Sequence, residues 1–476
     1  MEQSDNSVDV TETGIIRYGN SQVEKFQSDF LRQHVEYDEE NGVCHIVIWE
    51  LGAFSAPSAG VDYDRLISSA EAQAIYVRLD SASRSKVQIS RSQTIGAPLY
   101  VGVADGYLIA TWKFEDIAGS IKNPVPHRDS CKIYIENGPS VIRDQIIDGI
   151  KMLWPGEAVS LVDGELVFQL CSSNNIVVPS TIYNGARVTD ALQRRIADVM
   201  RPALEVAKRP LIELSGGMDS SCVAVAAKSV RSDLYSYALM HKGAVGRQQM
   251  ERRMELVGLL QVQDHLYPSD QPNQFQALEW DEAGLTPFDD NHRMPCVLAV
   301  DEHPAGPIDL ILTGIGGDEL SSGLNIGRDP WELPGVHCIS TLMAATARAD
   351  MFMRRGIWTL NPLAHEHVVN FCRALPDKLR DNRMINLLML ARAGLSDGFL
   401  FPRYVEGYGH GMQREAALID FDELFSVSII ADYRVYNFSH LLKAAREASN
   451  GGLSYELILR LFWLAKLECI LKKYVR

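Results

Sequence analysis

Ser215-Gly-Gly-Met-Asp-Ser-Ser221 follows directly on the apolar run Pro210-Leu-Ile-Glu-Leu214, so a strand is predicted to empty into a turn made of two glycines and rich in serine. Adjacent glycines let backbone amides approach an anion with no Cβ in the way, and a helix predicted from Cys222 to Val230 would aim its N-terminal dipole at the same point. That is the chemistry of a phosphate cradle. Ser215, Ser220 and Ser221 add hydroxyl donors. Asp219 would repel a phosphate, and a carboxylate makes sense there as a ligand of Mg2+ bridging the phosphates. No Lys-Ser/Thr pair closes the loop, so the spacing is not the Walker pattern. Taken alone, a serine-glycine turn capping a helix would explain the segment as well.

A second motif shifts that balance. Asp309-Leu-Ile-Leu-Thr313 reads as a short buried strand, and Gly314-Ile-Gly-Gly-Asp-Glu319 follows it. Two strands of one parallel sheet end at a common edge, where ligands of such sheets lie. Asp219 and Asp318 are therefore expected in one crevice, clamping a single Mg2+ on the pyrophosphate of ATP.

With both motifs in view, the chain resembles the PP-loop synthetase domain of the asparagine synthetase superfamily, whose members adenylate a carboxylate and release pyrophosphate. Leu234 to Met240 looks like the second strand of that domain and Gly246 to Leu260 like the following helix. Asn361-Pro-Leu363 and Leu375-Pro376 match its later segments. The resemblance implies ATP and Mg2+ as cofactors, with Leu214, Ser215, Gly216, Gly217, Asp219, Ser220 and Ser221 in the cradle. It implies Met240, Thr313 and Gly314 near the adenosine, and Asp219 and Asp318 as catalytic metal ligands. Superfamily synthetases present a late lysine that stabilises charge in the transition state. The matching stretch here, Phe399 to His410, contains none, so Arg403, His410 and Arg414 stand as replacements, against a reading of the three as surface or packing residues. Gly407, Gly409 and Gly411 suit a loop that moves over a substrate.

The first half reads as β-rich. Val43 to Trp49, Ala74 to Leu79, Leu99 to Val103, Tyr107 to Trp112 and Glu165 to Leu170 are short strand patterns, with hairpin turns at Asp105-Gly106 and Asp163-Gly164. From Thr189 helices set in, beginning Ala191 to Val206, then strands and helices alternate to Thr313, after which the pattern becomes all helical. The expected fold is thus α/β. Gly96 to Tyr100, Tyr107 to Thr111 and Trp154 to Glu157 resemble the late part of the glutaminase domain that precedes the synthetase domain in asparagine synthetases. The resemblance implies a β-rich, degenerate glutaminase-like domain of the Ntn type over residues 1–185, then a synthetase domain with a parallel sheet and C-terminal helices over 186–476.

Glutaminases of the superfamily use a cysteine at position 2 as nucleophile, and this chain has Glu2 there and no cysteine before Cys44, itself inside a strand pattern. Ammonia from glutamine is not expected, and the attacking amine must come from elsewhere. Superfamily members without that cysteine include β-lactam synthetases and lasso-peptide cyclases. The former carry a tyrosine where this chain has Ile315, and Arg460 to Leu467 resembles the closing helix of the latter. The reading is a lasso-peptide macrocyclase acting on a precursor peptide beside a leader-binding protein and a peptidase. A β-lactam-like or other small-molecule amide synthetase and a nucleotide-binding scaffold remain as alternatives.

Composition sets the outer bounds. A chain of 476 residues with 46% hydrophobic and 22% charged residues has ordinary globular make-up and room for two domains. A net charge of −15 argues against nucleic acid as partner. Eight scattered cysteines show neither zinc spacing nor a disulfide framework. His241, His365 and His367 lack metal spacing and read as capped or solvent-facing. No secretory signal opens the chain, and Leu453 to Leu471 carries Glu456, Arg460, Lys466 and Glu468, so a buried terminal helix is expected in place of a membrane anchor. A cytoplasmic location is expected.

Overall fold

A computed structural model describes residues 8–10, 15–18, 20–58, 60–80, 87–94, 96–139, 142–171, 185–269, 286–287, 293–317, 320, 339–404, 420–448 and 454–475. Asp318, His410, Arg414 and the three loop glycines 407, 409 and 411 lie outside the described residues.

β1 (Val8–Val10), β2 (Ile16–Tyr18) and β3 (Ser21–Val23) make a small antiparallel sheet. β4 (Leu31–Asp38), β5 (Val43–Glu50), β6 (Ala74–Asp80) and β7 (Val87–Arg91) follow, then a hairpin of β8 (Tyr100–Ala104) and β9 (Tyr107–Thr111). After β10 (Lys151–Met152) comes a second hairpin, β11 (Glu157–Val162) with β12 (Glu165–Leu170). The main sheet runs β12-β11-β7-β6-β5-β4, antiparallel throughout, and shares an apolar core with the sheet β10-β8-β9. Both hairpins turn where the sequence places Asp-Gly, with positive φ at Asp105, Gly106, Asp163 and Gly164 as a two-residue I′ turn requires. Cys44 is fully buried in β5 and burial pushes its thiol up to about 11, which fits a packing residue.

The second sheet is parallel: β13 (Pro210–Glu213), β14 (Tyr235–Met240), β15 (Gln263–Pro268), β16 (Leu310–Leu312) and β17 (Trp358–Leu360), in the order β15-β14-β13-β16-β17. The strand order reverses between β13 and β16, which makes their carboxyl ends the topological switch point. Register there is pinned from below. The Asp309 carboxylate accepts from the backbone N–H groups of Lys208 (2.6 Å) and Arg209 (2.8 Å), and Leu211 pairs with Ile311 and Ile212 with Leu312. The expectation of an all-helical chain after Thr313 fails at β17. Three residues carry too little pattern to announce a strand, and the pairing that makes them one comes from β16.

Helix Gly185–Val206 starts six residues before the predicted Ala191, and helix Met218–Lys228 starts directly in the glycine loop. Phe30 and Leu31 belong to the same apolar core as those helices and the parallel sheet. The last helix, Tyr455–Tyr474, packs with Tyr100, Phe114 and Tyr134 of the first half. Its Glu468 is fully buried and accepts from Ser428 Oγ (2.9 Å) and the amides of Ile429 (2.8 Å) and Ile430 (3.2 Å). No helix among the described residues is long and apolar enough to cross a membrane.

Glu50, at the end of β5, joins the two sheets: it accepts from Trp358 Nε1 on β17 at 2.6 Å. Burial pushes its carboxyl from 4.5 up to about 7, against the pull of the donors Trp358 and Gln73. As pH rises from 4.5 to 7 the unfolded chain gives up this proton while the folded chain keeps it. Stability therefore falls across that window, by about 3 kcal/mol at most. Glu50→Gln removes the titration, so the melting temperature of the variant relative to the parent should climb between those two pH values. A difference independent of pH would refute the assignment.

Candidate active site

The site is built at the ends of β13 and β16. Leu214 N donates to Tyr237 O (2.9 Å), keeping the chain beside β14 until Ser215, where the loop turns through Gly216 at φ +90°. Gln249, on helix Gly243–Leu260, fixes that corner: its Nε2 donates to Ser215 O (3.1 Å) and Leu239 O (3.0 Å), and its Oε1 accepts from His241 N (3.0 Å). The end of β14, with Met240, is thereby held to the loop.

Inside the loop, Ser215 Oγ accepts from Gly217 N (3.1 Å) and lies 3.2 Å from Ser220 Oγ. Ser220 Oγ and Ser221 Oγ donate to Gly217 O at 3.3 and 2.6 Å. Ser221 is fully buried, so its hydroxyl shapes the loop from beneath. The helix cap is Gly217, with no side-chain acceptor for the first amides of helix Met218–Lys228. The N-terminal end of a helix at this place suits an anion.

Asp219 stands in the first turn of that helix with 17% of its side chain exposed. Its Oδ1 accepts from Asn386 Nδ2 at 2.8 Å, and its Oδ2 lies 3.9 Å from Arg383 Nη1. The second motif comes against it from the other strand. A Cβ on Gly314 would lie 2.6 Å from Ser220 N, and one on Gly317 2.3 Å from Asp219 Cγ. Only glycine permits either approach. The two motifs predicted to meet do meet, through Gly317 and the Asp219 carboxylate, and Asp318 is the next residue along the chain.

Thr313 is fully buried; its Oγ1 donates to Asn361 Oδ1 (2.6 Å) and accepts from Ile315 N (3.2 Å), so it sets the start of the Gly314 loop. Arg403 is exposed, and its backbone N–H donates to Gln248 Oε1 (2.6 Å), as does that of Tyr404 (2.9 Å). Gln248 and Gln249 are neighbours on one helix, so that helix holds the segment at Arg403 with one side chain and the glycine loop with the next. His365 is no metal ligand: its Nδ1 caps helix Glu366–Arg373 by accepting from His367 N, and burial drives its pKa down to about 3. Burial also lowers that of His241. No group of three or more His, Cys, Asp or Glu among the described residues could hold a metal ion. Mg2+ delivered with a nucleotide takes one or two protein carboxylates, and Asp219 is placed to be one of them.

Arg383 and Asn386 are missing from the sequence reading, which sought a basic residue later, at Phe399 to His410. Arg383 and Asn382 both hold left-handed backbone (φ +58° and +52°) just before helix Met384–Arg392. Such conformations cost about 1–3 kcal/mol each and gather at functional sites. The available signal was the basic cluster Lys378, Arg380 and Arg383 shortly after Leu375-Pro376.

Residues 188–355 match the asparagine synthase family, a span that takes in both glycine loops and stops before Arg383. On that match the chain is an ATP-dependent, ligase-type enzyme of the amide-forming kind. Among solved structures, NMN synthetase from Francisella tularensis aligns at 14% identity over 59% of this chain and 93% of that one, with a TM-score of 0.28, too low to carry an inference. No curated protein matches the sequence.

Proposed function

We propose that the protein is an ATP-dependent lasso-peptide macrocyclase. The observation that carries the reading is the contact of Asp219 with the Gly314 to Gly317 loop at the switch point. A side-chain carboxylate of the precursor peptide attacks the α-phosphorus of ATP, pyrophosphate leaves, and an acyl-adenylate results. The peptide's own N-terminal amine then attacks the acyl carbon, AMP leaves, and the amine proton is lost as the amide forms. An amine on the same molecule has a high effective concentration, which favours it as the nucleophile.

The Ser215 to Ser221 loop would cradle the phosphates, and Asp219 with Asp318 would hold Mg2+, which supplies charge neutralisation there when bound. Arg383, 3.9 Å from Asp219, is a fixed cation on which charge of the leaving pyrophosphate can rest, and Asn386 keeps the Asp219 carboxylate oriented. Arg403 and His410 would act on the substrate side. Ile315 packs against the apolar core, which supports a reaction without the phenol of β-lactam synthetases.

The test gives the protein a precursor peptide with its leader-binding partner and peptidase. Loss of one water by mass spectrometry, formation of AMP, and a ring mapped to an Asp or Glu side chain are expected. Turnover confined to free small amino acids would move the assignment to a β-lactam-like synthetase. No pyrophosphate release with any acid would leave a scaffold.

A further inference from the structure

A cavity of about 1380 Å³ opens between the two sheets of the first half and runs to the edge of the parallel sheet. Its walls include Val77, Leu79, Ile89 and Leu99 from the inter-sheet core, with Trp112 and Trp358 at the parallel-sheet end. Pockets for small molecules occupy about 300–1,000 Å³, so this one has room for an elongated occupant.

The other charged residues of the wall, Asp80, Lys113 and Arg354 among them, are half-buried or exposed, and Arg91 is the buried one among the described residues. Arg91 is 5% exposed, and its guanidinium donates to two neutral acceptors, Leu153 O (3.1 Å) and Ala97 O (2.7 Å). No described carboxylate lies within ion-pair distance of it. Glu157, the acid whose field reaches it, is held by both nitrogens of Arg143 (2.8 and 2.6 Å) and by Trp154 N (3.0 Å). A guanidinium carries five N–H donors, and a buried cation without a counter-ion is costly. Burial has pulled its pKa down to about 10, the direction an anion would reverse.

We infer that this cavity binds an elongated apolar carboxylic acid, with the body between the sheets and the carboxylate on Arg91. A fatty acid and an apolar peptide with a free carboxyl end share that chemistry. The inference does not rest on the macrocyclase reading, and its test needs no turnover.

Trp112 and Trp358 on the wall report occupancy by fluorescence. The full-length protein is titrated with decanoate and decanol in one arm, and with an apolar peptide as free acid and as C-terminal amide in the other. Saturable binding of at least one acid is expected, with its neutral counterpart weaker by about tenfold or more, as loss of a charged hydrogen-bond partner dictates. The arm that binds tighter identifies the source. Arg91→Met should erase the preference for the acid. Because that variant disturbs a buried group, Val77→Phe, which narrows the cavity and leaves Arg91 in place, should weaken the bound acid independently. Absence of saturable binding by both acids, equal binding of acid and neutral partner, or indifference to Val77→Phe would overturn the proposal.

Discussion

Asp219→Asn should stop pyrophosphate release, by at least about a hundredfold in turnover, the size of losing one preorganised electrostatic contact to a transition state. The fold should be untouched. Asparagine keeps the oxygen that accepts from Asn386, and what it gives up toward Arg383 is a pair 3.9 Å apart with 40% of the arginine side chain exposed. Such pairs contribute about 1 kcal/mol or less. The melting temperature should therefore stay within a few degrees while activity disappears. This separation of effects distinguishes a metal-holding carboxylate from a structural one, since loss of a structural carboxylate would lower both together. Retention of more than about a tenth of the parent turnover would remove Asp219 from the metal site, because a displaced metal cannot leave the chemistry nearly intact.

What could be read in advance follows the distance over which each feature is determined. The Asp-Gly hairpins and the glycine loop after Pro210 to Leu214 are local, since turn chemistry and strand hydrophobicity sit within a few residues of each other. The meeting of Asp219 with the second motif is not local, yet it was legible. Two buried strands that each end in glycines leave few arrangements in a parallel sheet, and the switch point selects the productive one. β17 escaped because its three residues become a strand only through pairing with β16. Arg383 escaped because its place depends on two consecutive left-handed residues, Asn382 and Arg383, neither of them glycine. The packing of helix Tyr455–Tyr474 against Tyr100 and Phe114 was equally hidden, since a helix apolar on nearly every side announces that it is buried and not against what.

Gly317→Ala should cost nearly as much activity as loss of Asp219 itself, without changing any group that takes part in the chemistry. The new methyl would stand 2.3 Å from Asp219 Cγ and 2.5 Å from its Cβ and Oδ1, deep inside the contact distance of about 3.5–4 Å. What it meets is a side chain, which can swing aside, so the fold survives at an overpacking cost of about 1–3 kcal/mol. A displacement of 1 Å at a reacting centre is worth about a hundredfold in rate, and that is the expected fall in kcat. Gly314→Ala separates the two consequences, since its methyl meets backbone, Ser220 N at 2.6 Å and Cα at 2.9 Å, which cannot yield. It should lower the melting temperature more than Gly317→Ala does. Gly258, within helix Gly243–Leu260 and with nothing inside 4 Å of an added Cβ, serves as control: Gly258→Ala should keep full activity and gain up to about 1 kcal/mol. If Gly317 acts only by holding Asp219 in place, the double variant with Asp219→Asn should be no slower than Asp219→Asn alone. A further drop in the double variant, or a Gly317→Ala enzyme of normal activity, would show that the loop does not set the position of the carboxylate.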